Sequence, residues 1–213
     1  MTVYNGEKFV AEAVESVLKQ ILPSDEIIVI NDGSTDNTLE ILSQYPELKV
    51  ISQENKGIAY SRNKAIELAT GKYLTFIDAD DLWHPNKSYQ QFSYLEQNPA
   101  IDIVFSHLEH FVKSSFPSSM QVFKPQKGMM QLCAMIEKQK FLSIGQFSGN
   151  LGGEFILWFQ KAKLYGLQDE CLSEVLAYRR LHANNFTRRT EYTHNLTRLA
   201  KQLIEQRMNF KRL

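Results

Sequence analysis

The sequence predicts an α/β fold, a mostly parallel Rossmann-like sheet flanked by helices, and three observations carry that expectation. Short apolar runs alternate with amphipathic helical patterns along the first half of the chain. One run, Ile27 to Ile30, is unbroken and β-branched, as expected of a strand covered on both faces. Acidic residues directly follow two of the runs, Asp32 after one and Asp78, Asp80 and Asp81 after another. These are the positions, beyond the carboxyl ends of parallel strands, where such sheets bind ligands.

Taken in order, Val10, Val14, Val17, Leu18 and Ile21 fall on one helical face, which predicts a helix packed on the sheet. The strand from Ile27 ends where Asn31-Asp32-Gly33 turns the chain, and Ser34 or Asp36 can cap the helix that follows. Leu48 to Ile51 form a further short strand. The next helix spans about Ile58 to Ala69 and is closed by Gly71. The stretch KYLTFIDADDLW, Lys72 to Trp83, supplies a strand ending in carboxylates. Alternation of helix and strand implies right-handed crossovers and parallel neighbours. At the far end Leu196, Leu199, Leu203 and Ile204 share a face ringed by Arg198, Lys201 and Arg207, a basic amphipathic C-terminal helix expected to pack on its own domain, with a membrane surface or a partner as the alternative.

Composition bounds the function. A chain of 213 residues with 43% hydrophobic content makes one ordinary domain with a buried core. Lys+Arg and Asp+Glu balance at 24 each, so bulk charge gives no sign of a nucleic-acid partner. Cys133 and Cys171 match no metal-ligand spacing and are too few for a disulfide framework, which fits core thiols in a reducing, cytoplasmic compartment. No apolar run is long enough to span a bilayer, and the first residues carry no signal pattern, so the sequons at Asn185 and Asn195 have no weight.

Two carboxylates about 4 Å apart repel by about 4 kcal/mol at an effective dielectric near 20, and a cation between them reverses the sign. Hard cations such as Mg²⁺ or Mn²⁺ take carboxylate oxygens and fill their remaining positions with water and phosphate. Asp-x-Asp at a strand end therefore suggests a metal-diphosphate site, although the same aspartates can merely cap the turn into a helix near Pro85. Spacing alone does not separate these readings.

The segments VYNGEKFVAEAVESVLKQ, EIIVINDGSTDNT and NKGIAYSRNKAIELATGKYLTFIDADD together resemble the family 2 glycosyltransferases, which have the GT-A nucleotide-sugar-binding fold. The resemblance is continuous from Val3 to about Trp83 and weaker through GEFILW, Gly153 to Trp158, and EVLAYRRLHANN, Glu174 to Asn185. It implies a GT-A domain over 1–190, with a nucleotide-sugar half (1–100) and an acceptor half (101–190), followed by the tail 191–213. It further implies inverting transfer of a sugar from a nucleotide diphosphate donor, a UDP-sugar by preference, to a hydroxyl of a glycan, lipid-linked or other acceptor. A divalent cation, Mn²⁺ or Mg²⁺, assists, and the work is cytoplasmic, with the inner membrane face as a further location.

By that resemblance Asp32 binds the base, Tyr4 packs beside it, Arg62 lies near the nucleotide, Asp78 faces the ribose or base, and Asp80 binds the cation, with Asp81 a weaker third acid. Each type suits its task, since a carboxylate accepts the uracil imide, a ring stacks on a base and a guanidinium bridges oxygens. Without the resemblance Asp32 has the alternative reading of a turn residue, Tyr4 of a core aromatic and Arg62 of a solvated helix residue. Glu154 is the candidate base for the acceptor hydroxyl; phenylalanine follows it where the family motif has a second acid, and Leu157 is apolar where many relatives carry one. The RRLHANN segment resembles an element that folds over the diphosphate, with Arg180 as a donor contact and His182 as a metal ligand; strand alternation puts both on one face.

Family members open with a buried strand, whereas Met1 to Val3 leave at most three residues for one, so the first central strand is expected to be missing, and either the chain starts upstream or this form is impaired. The alternative function is a degenerate, non-catalytic nucleotide-sugar binder. A dinucleotide oxidoreductase is disfavoured because no G-x-G-x-x-G loop precedes the acids.

Overall fold

A computed structural model describes residues 1–113, 120–149, 153–183 and 185. The expected C-terminal helix, and the domain boundary at residue 190, lie outside them. Strand β1 (Thr2–Val3) is followed by helix α1 (Val10–Leu18), β2 (Ile27–Asn31), α2 (Thr38–Leu42), β3 (Leu48–Ser52), α3 (Ile58–Leu68) and β4 (Tyr73–Thr75). The second half runs β5 (Leu82–Trp83), α4 (Lys87–Gln97), β6 (Ile103–Lys113), β7 (Met120–Val122), β8 (Gln126–Lys127), β9 (Met135–Glu137), α5 (Lys138–Ile144), α6 (Glu154–Leu164) and β10 (Asp169–Arg180).

The α/β class holds, and β1, β2 and β3 form a fully parallel sheet in that order. Every residue of β2 is buried, as its unbroken β-branched run requires. The buried face of α1 is Val10, Ala13, Val14 and Val17, close to the predicted stripe. The missing first strand needs correcting. Thr2 and Val3 pair with Ile30 and Asn31, the Met1 carbonyl accepts the Ile30 amide at 3.0 Å, and the Val3 carbonyl accepts the Asp32 amide at 2.9 Å. These residues pair along the end of β2 next to the loops that form the site.

Strand β4 departs from the simple alternation. It pairs antiparallel with β9 in a second, mixed sheet ordered β4-β9-β6-β10-β5, where β6 and β10 are the parallel pair. An isolated parallel bridge, Thr2 to Asp78, ties β1 to the loop that follows β4. The chain from Phe76 to Asp81 leaves β4 and passes beside β1, which carries the acidic loop to the same end as Asp32.

Behind that end lies an aromatic cluster. Phe141 of α5 stacks on Trp158 of α6 with centroids 4.5 Å apart, and Phe105 of β6 meets Phe159 edge-on at 5.2 Å. Such pairs contribute about 0.5–1.5 kcal/mol each beyond burial, and here they anchor α6 against the sheet. Among the described residues no helix is long and apolar enough to cross a membrane.

Candidate functional site

Four segments meet at the carboxyl end of the parallel sheet, and backbone demands explain each. The loop after β1 and the loop after β2 are laced together. Asn5 donates its amide to Ser34 Oγ at 2.9 Å and accepts the Thr35 amide at 2.8 Å, Gly6 donates to Thr38 Oγ1 at 2.8 Å, and Glu7 donates to Asp36 Oδ2 at 3.1 Å. Asp36 also accepts the Thr38 amide at 3.1 Å, but the N-cap of α2 is Asn37 and carries no side-chain cap, so neither Ser34 nor Asp36 is the capping residue expected from sequence, and Ser34 serves the neighbouring loop. Gly33 has φ of +80°, and a Cβ there would lie 2.8 Å from the Asn55 nitrogen, so this turn excludes any side chain.

Asp32 is 4% exposed at the end of β2. Its Oδ1 accepts Gln53 Nε2 at 2.7 Å and the Lys56 amide at 2.9 Å, and its Oδ2 accepts the Gly57 amide at 2.9 Å. It is thus more than a turn residue, because its carboxylate shapes the loop that enters α3. Tyr4, following β1 beside it, is 56% exposed and no core aromatic.

The third segment holds the aspartates. Helix α4 begins at Lys87 after Asn86 with no side-chain cap, so the reading of Asp80 and Asp81 as helix caps falls away. Asp78 Oδ1 pairs with Arg62 Nη2 at 2.5 Å, and its Oδ2 accepts Gln131 Nε2 at 3.0 Å. Burial pushes the Asp78 carboxyl up, but the Arg62 charge and hydrogen bond outweigh it and hold the group below its ordinary value. Asp81 is 3% exposed, and burial together with Asp80 and Asp78 raises it well above the usual range. Its Oδ1 accepts the Arg180 amide at 2.8 Å.

Asp80 is the open member. Its Oδ2 lies 3.0 Å from His182 Nε2 and accepts Asn185 Nδ2 at 3.2 Å. Among the described residues no group of three or more His, Cys, Asp and Glu forms a metal cage. A hard cation here would find one carboxylate and one imidazole and would need further oxygens from a ligand and water, the donor set that suits Mg²⁺ or Mn²⁺ with a diphosphate.

The fourth segment is the end of β10. Strand β10 ends at Arg180, so alternation does not extend to His182, yet both residues meet Asp80 and Phe9. The His182 ring lies 4.7 Å from the Phe9 ring. The Arg180 guanidinium sits 4.7 Å from the ring centres of both Phe9 and Phe111. Arg180 is 2% exposed and donates to the Asp80 carbonyl at 2.9 Å and Glu12 Oε2 at 3.1 Å. The charge of the adjacent Arg179 favours the ionised forms of Asp78 and Asp81.

Glu154 opens α6 after Gly153, whose φ of +87° turns the chain into the helix. It is 3% exposed, and its Oε1 pairs with Arg62 Nη1. Among the described residues its Oε2 is buried without a hydrogen-bond partner. Arg62, 4% exposed, is therefore no solvated helix residue and joins Asp78 to Glu154.

Sequence reasoning passed over several participants. Asn185 was visible within RRLHANN, and its Oδ1 accepts the His182 amide at 2.7 Å. Phe9, Gln53 and Gln131 carry no sequence signal, because only the fold brings them to the acids. Lys87, to which the sequence analysis gave no part, is fully buried, donating to Thr75 Oγ1 at 2.8 Å and Gln91 Oε1 at 2.6 Å, 4.5 Å from the Trp83 ring centre.

The profile of Glycosyl transferase family 2 matches residues 1–152. Glycosyltransferase GlyG of Streptococcus pneumoniae is 36% identical over 117 residues, covering 53% of this chain and 38% of that protein. Residues 1–349 of S. aureus TarS, solved in complex with UDP-GlcNAc, superpose with a TM-score of 0.73 at 19% identity over 94% of this chain and 64% of that one. The mannosyltransferase PcManGT of Pyrobaculum calidifontis, solved with GDP-Man and Mn²⁺, gives 0.68 at 18% identity over 100% of this chain and 63% of that one. The chain thus spans less than two thirds of each of these proteins, and at such identities the solved structures establish likeness of fold alone.

Proposed function

Since this chain belongs to glycosyl transferase family 2, we propose that it transfers a sugar from a nucleotide diphosphate donor, a UDP-sugar in the first instance, to a hydroxyl of a glycan or lipid-linked acceptor, with inversion. The observation that carries the reading is the meeting of Asp80 with His182, 3.0 Å apart and 102 positions apart in the chain, beside Asp78 and Asp32 at the carboxyl end of a parallel sheet. The solved likeness to TarS with UDP-GlcNAc and to PcManGT with Mn²⁺ supports the choice of donor class and cation.

In this proposal Tyr4 offers an exposed ring to the base, and Asp32 holds the loop that forms the base's wall, with one lone-pair direction of Oδ2 left for an imide hydrogen. Asp78 stays ionised beside the ribose. Asp80 and His182 are the chain's ligands for Mn²⁺ or Mg²⁺, which when bound supplies Lewis-acid stabilisation of charge on the departing diphosphate. Arg180 holds the Asp80 backbone in place by its Nε donation. That gives it a supporting part instead of the direct donor contact expected from sequence. Glu154 Oε2 takes the proton of the acceptor hydroxyl as that oxygen attacks from the face opposite the diphosphate. Action at the cytoplasmic membrane face, through the basic pattern of 191–213, belongs to the same proposal.

Calorimetric titration of UDP with Mn²⁺, repeated in EDTA, tests the donor and cation parts, and release of UDP from UDP-GlcNAc tests the chemistry. Binding that depends on the cation supports the reading, and silence in both arms rejects it. One observation favours a second reading, a binder that does not transfer: Glu154 is 3% exposed and already ion-paired. Metal-dependent binding without turnover would select that alternative.

A further inference from the structure

Arg62 lies at the junction of three separate elements. It projects from α3, pairs with Asp78 in the acidic loop at 2.5 Å, and pairs with Glu154 at the first turn of α6, 92 positions away in sequence. All three charges are withdrawn from solvent to some degree, the side chains of Arg62, Asp78 and Glu154 being 5%, 27% and 3% exposed. A guanidinium is suited to this place because it keeps its proton and presents a rigid fork that satisfies two carboxylates from fixed directions. A nucleotide contact would need that fork to be turned elsewhere, and doing so would leave Glu154 as an unpaired buried charge, which is costly.

The Glu154 side of the junction is asymmetric. Oε1 is held by Arg62, while Oε2 is buried without a partner among the described residues. A buried acceptor without a hydrogen bond costs about 1–3 kcal/mol, so the arrangement makes physical sense if a ligand hydroxyl completes it.

We propose that Arg62 is a positioning residue: it anchors Glu154 by one oxygen, aims the other at the acceptor hydroxyl, and ties that aim to the acidic loop through Asp78. This rests on the reading of Glu154 as the base and departs from the expectation that Arg62 touches the nucleotide. The two roles predict different losses. Misplacing a base by about 1 Å costs about 100-fold in turnover with little effect on donor affinity, whereas losing a nucleotide contact weakens UDP binding.

The test uses the full chain and its R62Q and R62K variants, reading UDP affinity with Mn²⁺ by calorimetry and UDP release from UDP-GlcNAc by steady-state kinetics. R62Q should lower kcat about 100-fold and R62K about 10-fold, since lysine restores the charge but cannot bridge both carboxylates, with UDP Kd within about twofold of the parent. If R62Q does not fold, the R62K kcat against its UDP Kd decides. Loss of UDP affinity with kcat retained, or unchanged kcat in both variants, overturns the positioning role while leaving the transferase reading intact. A parent chain that neither binds UDP nor turns over defeats the transferase reading, and this one falls with it.

Discussion

The Asp32 carboxylate accepts the Gly57 amide at 2.9 Å, so the acid at the end of β2 is also the residue that sets the entrance to α3. Asp32→Ala should strip partners from Gln53, Lys56 and Gly57 together. Hydrogen bonds to a charged acceptor contribute about 1.5–3 kcal/mol each net of water, and loop relaxation with water entry recovers part of that in the variant, so a loss on the order of 3 kcal/mol is expected in urea unfolding. UDP affinity should fall in parallel, and Asp32→Asn should keep part of both. An alanine variant as stable as the parent would show that the loop holds without this anchor.

For the cation, Asp80→Ala should abolish metal-dependent UDP binding measured by calorimetry. Asp102→Ala provides the comparison. Asp102 pairs with Lys140 at 2.9 Å and accepts the Gln168 amide at 2.9 Å, far from the acids in function, so its removal costs stability while sparing binding. Equal losses of binding in the two variants would reject Asp80 as a ligand.

For the chemistry, Glu154→Gln should retain UDP affinity and lose transfer by about 10²–10⁴-fold, the usual range for a general base. Glutamine preserves an oxygen for Arg62, so the fold should persist. Normal turnover in this variant would remove Glu154 from the reaction.

Stability should depend on pH through Lys87. Burial lowers its pKa from 10.5 to about 7. Its closest partners are neutral, Thr75, Gln91 and the Trp83 ring, and the Cys133 thiol nearby is itself pushed up to about 12 by burial. Below pH about 7 both folded and unfolded chains hold the proton, and the folded chain bears the full cost of the buried charge. Between about 7 and 10.5 only the unfolded chain keeps it, so stability should rise with pH across that window. Lys87→Met should flatten this rise. Urea midpoints taken from pH about 6 to about 9 would check it, and a parallel slope in both proteins would assign the dependence to other groups.

Much of the fold was legible because the signals that encode it are short. The period of Val10, Val14 and Val17, the β-branched run of β2 and the glycine turn after it each act over a few residues, and all three were read from sequence at nearly their observed limits. The pairing of β4 was not legible, since an apolar run states that a strand is buried without naming its neighbour. The two residues of β1 were likewise too few to carry a pattern, and only their fit against β2 makes them a strand.

By itself the sequence determined that carboxylates follow two strands, because strand ends are local geometry. Tertiary structure alone decided what those groups touch. It turned Arg180 inward between Phe9 and Phe111, gave Asp32 a loop to hold, placed His182 against Asp80, and buried Lys87 against Thr75 and Gln91. It also joined Arg62 to Glu154 across 92 positions. The physical reason is that such contacts are fixed by which faces of distant elements pack together, and no short window of sequence contains both sides of that packing.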